Sequence, residues 1–422
     1  MRRTQLFCET LRQDPSGSEV AGHLLLLRGM FIQPLASGLY SFLPLGARVK
    51  SKVERILREE MEAIGGQEVL LPLVQPADLW RETGRYERVG AELTRFRDRA
   101  ERDMVLAMTH EEVATDLLRR HVRTYRQLPV VLFQMQTKFR DEPRARGGLI
   151  RAREFVMKDA YSGHATSEEL DTFYERIYGV YLRIFRRVGL DVLPVESDVG
   201  MMGGSMAHEF MYLSPIGEDQ IAICDECGYA ANAQIATFVK EGSDEELQPL
   251  EEVATPDAST ISALSTLLQI PASRTAKAAF FVADGRLIFA VVRGDMEVNE
   301  TKLLNVANAS ELRPARADDL AGTGIVAGYA SPVGVSGATV VVDDLVATSP
   351  NLVAGANRPG VHLRNTNLGR DYEAEVVADI AAVYDGAQCP RCSGPLHLQR
   401  GIEVGNTFKL GVTYSNALGA SY

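Results

Sequence analysis

Two C-x-x-C pairs limit what this chain can fold into more than any other feature. They are Cys224-Asp225-Glu226-Cys227 and Cys389-Pro390-Arg391-Cys392. Each is followed by small residues (Gly228; Ser393-Gly394) that let the backbone turn around a metal. Together they supply four thiolates, the number a closed tetrahedral structural zinc site requires. Their separation is far longer than a simple zinc ribbon allows. One metal can join them only if a whole domain hangs between them and its ends return to one place, as inserted domains do. Disulfides are the alternative, disfavoured in a reducing compartment. Cys8 is left over and reads as a packed thiol.

Composition points to that compartment. The chain has 422 residues, 45% hydrophobic and 24% charged, which suits a soluble enzyme of two or three domains. No apolar run of ~18 residues is present, so no membrane span is expected. MRRTQLFCETLRQD turns polar and acidic too soon for a secretory signal. A cytoplasmic location is expected. The net charge of −11 argues against coating nucleic acid non-specifically. It leaves room for a local basic surface that meets phosphates.

The first half alternates long amphipathic helices with strands. After Pro44, the residues Val49, Val53, Ile56, Leu57 and Ile64 recur at helical spacing, and Gly65-Gly66 ends the helix. The segment EVLLPLV reads as a strand, placed at an edge or bulge by Pro72. A second helix starts near Thr166 and turns Leu170, Phe173, Ile177, Ile184 and Val188 inward. From about residue 240 the character changes. EGSDEELQPLEEV is acidic and linker-like, and strands rich in Val, Ala and Gly follow it. Residues 233–385 therefore read as a compact α/β domain inserted into the first.

Between Phe139 and Asp159 the chain reads FRDEPRARGGLIRAREFVMKD. Arg140, Arg144, Arg146, Arg151 and Arg153 are interleaved with Asp141, Glu142 and Glu154. A strand, a Gly-hinged loop and a returning strand would set Arg140 and Arg151 at facing positions of a hairpin. Such a hairpin offers guanidiniums to phosphates and carboxylates to an amine or a ribose. A solvated, charge-rich hairpin is the plainer alternative.

The pattern F-R-x-E, a loop, then R-x-R-E-F resembles motif 2 of the class II aminoacyl-tRNA synthetases. EFVMKDAYS narrows the likeness to the bacterial-type prolyl-tRNA synthetases. LASGLYSFLPLGARVKSKVERILREEMEAIGGQEVLLPLVQP is similar to their motif 1 region, and THEEV, GGSMAHEF and GIEVGNTFKLGVTYSNALGAS extend the likeness over nearly the whole chain. The resemblance implies an α+β fold: a class II antiparallel-sheet catalytic core over 1–232 and 386–422, with an editing domain of deacylase type over 233–385. It also implies a homodimer, joined through the Pro72 edge. The substrates would be proline, ATP with Mg²⁺, and tRNA(Pro), and the zinc would be structural.

Site roles come from the same likeness. By themselves Thr109-His110-Glu111-Glu112 predict a capping box, with Thr109 as N-cap. The resemblance adds that Thr109 and Glu111 meet the secondary ammonium of proline and that Arg140 holds the carboxylate or α-phosphate. His208 lies at a pocket position, although a lone His is more often structural. Glu142, Arg151 and Phe155 would bind ATP, with Phe155 stacked on adenine, and Arg140, Glu142 and Arg151 would be the catalytic set. Arg144 and Arg146 would touch the tRNA acceptor end, and Glu403 would help hold Mg²⁺. In the inserted domain, Thr255, Lys277, Gly328 with Pro332, Asp343 and His362 match the family's editing positions in order and spacing. The implied pocket admits alanine and excludes proline by size, a second sieve for a site that cannot reject a smaller side chain.

The chain departs from the family pattern in two places. After GVTYSNALGASY the family continues with motif 3, whose Arg grips the ATP γ-phosphate, and with an anticodon-binding domain; no G-x-G-x-x-R sequence occurs in these 422 residues. Asn406 also stands where many relatives have His. Two expectations compete: a proline–tRNA ligase whose 422 residues alone activate proline poorly, or a truncated paralogue that edits or binds aminoacyl-tRNA.

Overall fold

The computed structural model describes residues 3–15 and 20–421. It falls into two compact units, one formed by residues 1–195, 199–218 and 401–422 and the other by 196–198 and 219–400.

In the first unit, Pro44 opens helix α1 (Pro44–Glu62) where its missing N–H would have no intrahelical partner. Ile56, Met61 and Ile64 are buried, whereas Val49 and Val53 of the same spacing face solvent. The Gly65 and Gly66 amides bond back to the Glu62 and Met61 carbonyls, ending the helix as the sequence suggests. The expected strand EVLLPLV is broken. Only Gln67–Glu68 and Val74–Pro76 are strand; between them the Val69 N–H still reaches the Phe133 carbonyl at 2.8 Å, and at Leu71 side chains take over. Gln134 accepts from the Leu71 N–H at 2.9 Å, and Gln136 donates to the Leu71 carbonyl at 2.6 Å. Pro72, next along, has no N–H to give a strand.

Helix α2 (Glu111–His121) leads into two ten-residue antiparallel strands, β1 (Val130–Phe139) and β2 (Glu154–Gly163). Helix α3 (Ser167–Val188) starts with the Thr166 hydroxyl accepting from the Glu169 N–H and ends at left-handed Gly189. Strand alternation then separates two faces. Val131 and Phe133 pack with Met61 and Ile64 around α1, and with Ile177, Val180 and Ile184 of α3. The opposite face carries Gln134, Lys138, Phe155, Asp159 and Tyr161, all polar or aromatic. The helices thus form a greasy back to the hairpin and leave its front for chemistry. Strand β3 (Met206–Leu213) follows.

The second unit contains a mixed sheet and a smaller antiparallel one. Strands β4 (Glu251–Ala254), β5 (Ala276–Ala283), β6 (Arg286–Arg293), β7 (Thr339–Asp343), β8 (Leu352–Gly355), β9 (Val361–Thr366) and β10 (Val376–Ala378) supply them. The mixed sheet runs Leu312–Pro314, β5, β6, β7, β10, with β6, β7 and β10 parallel. Asp284-Gly285, both with positive φ, form the tight β5–β6 turn. Both faces are covered: Phe281, Ile288, Ala290 and Val292 lie in one core, and Phe289, Val291, Val340 and Val342 in another. That is why these strands read as continuous apolar runs. The first core also takes in Ala222, Cys224, Cys389 and Leu396, so this unit extends past 233–385 to include both cysteine pairs. The smaller sheet has the order β4, β9, β8.

Strand β11 (His397–Lys409) brings the chain back, and its residues 401–409 pair antiparallel with β3 before helix α4 (Thr413–Ala417). Helices and largely antiparallel sheets in one unit, with an α/β unit inserted, make an α+β protein. Among the described residues, no helix is long and apolar enough to cross a membrane.

Candidate active sites

The first site is built around a residue the sequence did not single out. Arg85 is 1% exposed and reaches Glu112 at 2.9 and 3.1 Å, Glu111 at 3.2 Å and Thr109 at 3.3 Å. Thr109 donates its hydroxyl to Glu111. The expected capping box is therefore not formed. His110, not Thr109, is the N-cap and makes no side-chain cap, because Thr109 and Glu112 are spent on Glu111 and Arg85. Trp80 and Tyr414 put ring faces 4.8 and 5.7 Å from the guanidinium, and Met202 Sδ lies 3.7 Å from it. The Arg85 charge is opposed by burial but reinforced by Glu112 and Glu111, which hold it protonated. Burial pushes Glu112 up to about 7 against the pull of Arg85. The only sequence clue to Arg85 is the lone tryptophan five positions earlier.

The hairpin front joins this cluster. Asp159 accepts from Lys138 at 2.8 Å, Gln134 at 2.8 Å and Tyr161 at 2.6 Å, and the Tyr161 oxygen accepts the His110 N–H at 3.1 Å. At the hairpin tip, Arg140 does not face Arg151. Its N–H bonds to the Arg153 carbonyl, while Arg151 bridges to Arg146, because Gly147 and Gly148, both with positive φ, tighten the loop. The Arg140 guanidinium stands 5.5 Å from the Phe155 ring centre, and its buried Nε has no hydrogen-bond partner among the described residues. Arg151 donates to Glu142 at 3.0 Å and to Glu218 at 2.6 Å, and Glu218 also takes Arg146. Arg153 caps the Glu142 carbonyl at 3.0 Å. Glu218 was not foreseen, since it comes from a turn outside the motif.

His208 lies on β3 opposite Thr407, with Nδ1 2.9 Å from the Tyr174 hydroxyl and Tyr178 edge-on at 5.3 Å. Glu403 is exposed on β11 opposite Met211, and among the described residues it belongs to no cluster of metal-ligating side chains. Asn406 faces Glu209 in the same ladder.

In the second unit, Thr255 and His362 are buried and joined, Oγ1 to Nδ1, at 2.6 Å. Burial lowers the His362 pKa, favouring a neutral ring. Tyr329 lies 5.4 Å from that ring. Its loop is held by Asn357, which donates to the Ser331 and Val333 carbonyls and accepts from the Ser331 N–H. Gly355, opposite His362 across β8 and β9, allows the loop to lie there: a Cβ would come within 2.1 Å of Tyr329. Gly328 has φ +80°, and a Cβ would meet Ser259 at 2.8 Å. Lys277 and Asp343 have other partners. Lys277 pairs with Glu297. Asp343 caps Leu345 at 3.0 Å and takes Lys240 at 2.8 Å and the Ile380 N–H at 2.9 Å. Burial raises the Asp343 pKa, and Lys240 opposes the rise.

The four cysteines of the two pairs converge within 4.8 Å of one another. Cys224 and Cys392 sulfurs are 3.5 Å apart, and Cys227 and Cys389 are 3.6 Å apart. A disulfide would need ~2.05 Å. Four sulfurs about 2.3 Å from a tetrahedral zinc would lie about 3.8 Å apart, so the donor set fits that ion. Burial of Cys224 disfavours its thiolate, but the Cys227 and Glu226 amides aimed at the sulfur bring its pKa down to about 7.

Comparison with known proteins puts these sites in context. A family model described as the aminoacyl-tRNA editing domain matches residues 255–372, the span that holds Thr255, Tyr329 and His362. A proline–tRNA ligase of Salinispora tropica is 54% identical over 432 residues, covering 100% of this chain and 73% of its own. That of Dehalococcoides mccartyi is 47% identical over 423 residues, covering 100% and 74%. The solved prolyl-tRNA synthetase of Giardia lamblia in complex with prolyl-adenylate overlaps 44% of this chain at 23% identity and a TM-score of 0.42, too loose a likeness to carry an argument. With about half its residues identical to these relatives over its full length, the chain belongs to the bacterial-type prolyl-tRNA synthetases.

Proposed function

We propose that the chain activates proline with ATP, transfers it to tRNA(Pro), and clears alanine from the same tRNA in its second unit. The observation that carries the ligase reading is the buried Thr109–Glu111 acceptor pair, continuous with the arginine-bearing hairpin front. A hydroxyl and a carboxylate suit the two donors of a secondary ammonium. Arg140, whose buried Nε has no hydrogen-bond partner among the described residues, is the cation to receive the proline carboxylate or the α-phosphate. Arg151, Glu142 and Phe155 hold ATP, which arrives with its Mg²⁺, and Glu403 is a candidate contact for that ion. His208 closes the amino-acid pocket.

A carboxylate oxygen of proline attacks the α-phosphorus, and the bond to pyrophosphate breaks. The terminal ribose hydroxyl of the tRNA then attacks the prolyl carbonyl carbon, and AMP leaves. No side chain becomes a covalent carrier. The protein contributes position and positive charge where phosphate charge shifts. Cys224, Cys227, Cys389 and Cys392 would hold zinc, which supplies a cross-link and takes no part in these steps.

Editing rests on Thr255 and His362, with Gly328 admitting the aminoacyl group close to backbone. Lys277 and Asp343 are assigned to that reaction on the family pattern alone. A water hydrolyses the alanyl ester, releasing alanine and tRNA. The exposed Leu35 and Leu70, 80% and 74% accessible, with Val49, Val53 and Val74, are the surface we assign to a homodimer.

Proline-dependent exchange of pyrophosphate into ATP tests the ligase reading. Exchange that is lost in Arg140→Ala supports it. Alanine release from alanyl-tRNA(Pro) without any such exchange leaves the hydrolase reading instead, for which the editing-domain match supplies the active unit.

A further inference from the structure

We propose that Arg85 is the positioning residue of the amino-acid pocket, holding Thr109 and Glu111 ready for the ammonium of the substrate. The inference rests on the proline reading of that pocket. Arg85 lies 24 and 26 positions before those partners, in a charge-rich segment with no motif of its own, and is nonetheless buried.

Charge and shape both lead to this role. Glu111 and Glu112 are neighbours at the start of α2 and both are buried. Two carboxylates in such a place cannot both stay ionised without a cation, and one would take up a proton. Without that cation the pair would present less negative charge to an ammonium. Arg85 Nη1 meets Thr109, Glu111 and Glu112 at once, the last through both oxygens. Glu112 is further fixed by the Thr83 hydroxyl at 3.1 Å. Glu111 makes fewer contacts and keeps acceptor capacity for a ligand. Above about pH 7, the value to which burial raises the Glu112 pKa, two ionised carboxylates and one guanidinium leave one negative charge. The neighbouring Lys138–Asp159 pair is balanced, and burial, aided by Lys138, keeps His110 neutral. That surplus is what a ligand ammonium would cancel.

Lysine is a poor substitute, because its compact ammonium has no planar face to lay against the Trp80 ring while reaching these oxygens. Trp80 and Tyr414 flank the guanidinium, and Trp80 is itself fixed by donating to Gln75 at 2.8 Å. Arg85 touches the pocket's walls and not the reacting atoms, so its role is to position.

Calorimetric titration of the full chain with L-proline, and separately with a fluorescent ATP analogue, tests this. Arg85→Met and Arg85→Lys should each weaken proline binding about tenfold or more while analogue affinity stays within about twofold. Adding Glu112→Gln to Arg85→Met removes the surplus carboxylate and should recover much of the lost proline affinity. Thermal melts identify variants that fail to fold. Proline and ATP affinities falling together, no recovery in the double variant, or unchanged proline affinity in Arg85→Met would each overturn the proposal. If the unaltered chain binds ATP analogue but no proline, the pocket reading itself fails and Arg85 falls with it.

Discussion

His110 and Glu112 stand two positions apart, and burial drives their protonation in opposite senses. The His110 ring, buried beside Lys138, has its pKa lowered to about 4 from an ordinary 6.5. The unfolded chain therefore takes up a proton that the folded chain refuses, and stability is lost as pH falls from 6.5 to about 4. Glu112 runs the other way. Raised from 4.5 to about 7, it contributes stability that is full below 4.5 and is lost as pH rises through about 7. Melting temperatures measured across pH 4–8 should separate the two. His110→Gln should flatten the acid-side loss, and Glu112→Gln should flatten the loss toward neutrality. At this scale the sequence singled out Thr109 and Glu111 together, and the structure joins them by a hydrogen bond. The sequence was unreadable for Arg85, because GRYERVG has the composition of a solvated turn and burial leaves no local mark on a charged residue.

The hairpin shows what a motif can and cannot tell. The motif announced a strand, a loop and a returning strand, and these form as Val130–Phe139 paired with Glu154–Gly163. It did not give the pairing at the tip. Two left-handed glycines set the register there, so Arg140 meets Arg153 and Arg146 meets Arg151. Glu218 holds Arg146 and Arg151 where a nucleotide phosphate would compete with its carboxylate. Glu218→Gln should tighten ATP binding about threefold, a modest gain because exposed ion pairs are weak; equilibrium titration with a fluorescent analogue would read it. The Gly328 loop calls for the opposite kind of change. At φ +80° and 2.8 Å from Ser259, an added Cβ has neither conformation nor room. Gly328→Ala should cut alanine release from alanyl-tRNA(Pro) by about tenfold or more, while proline-dependent exchange in the first unit is retained.

On the scale of the whole chain, the insertion was legible from a shift in composition and from the spacing of the cysteine pairs. Its limits were not. Residues 219–232 are as apolar as the strands before them, and only packing assigns Ala222 and Cys224 to the second unit's core. Because Cys224 and Cys389 are part of that core, losing the zinc proposed at these cysteines should loosen the second unit first. Chelation or Cys389→Ser should lower its melting transition by roughly 10 °C, as expected for loss of a few kcal/mol in a unit of this size. Calorimetry that resolves two transitions would check it.

The pairing of β3 with residues 401–409 has a consequence for how the protein is made. Roughly 190 residues separate the two partners in the chain. At about 5–20 residues per second, a ribosome needs on the order of 10–40 s to synthesise them. For that interval the edge of β3 that β11 will cover is open, and unpaired strand edges invite pairing with other chains. The second unit can close its thiolate cluster as soon as Cys392 emerges from the exit tunnel. The first unit, begun earlier, must wait until residue 409 has followed it.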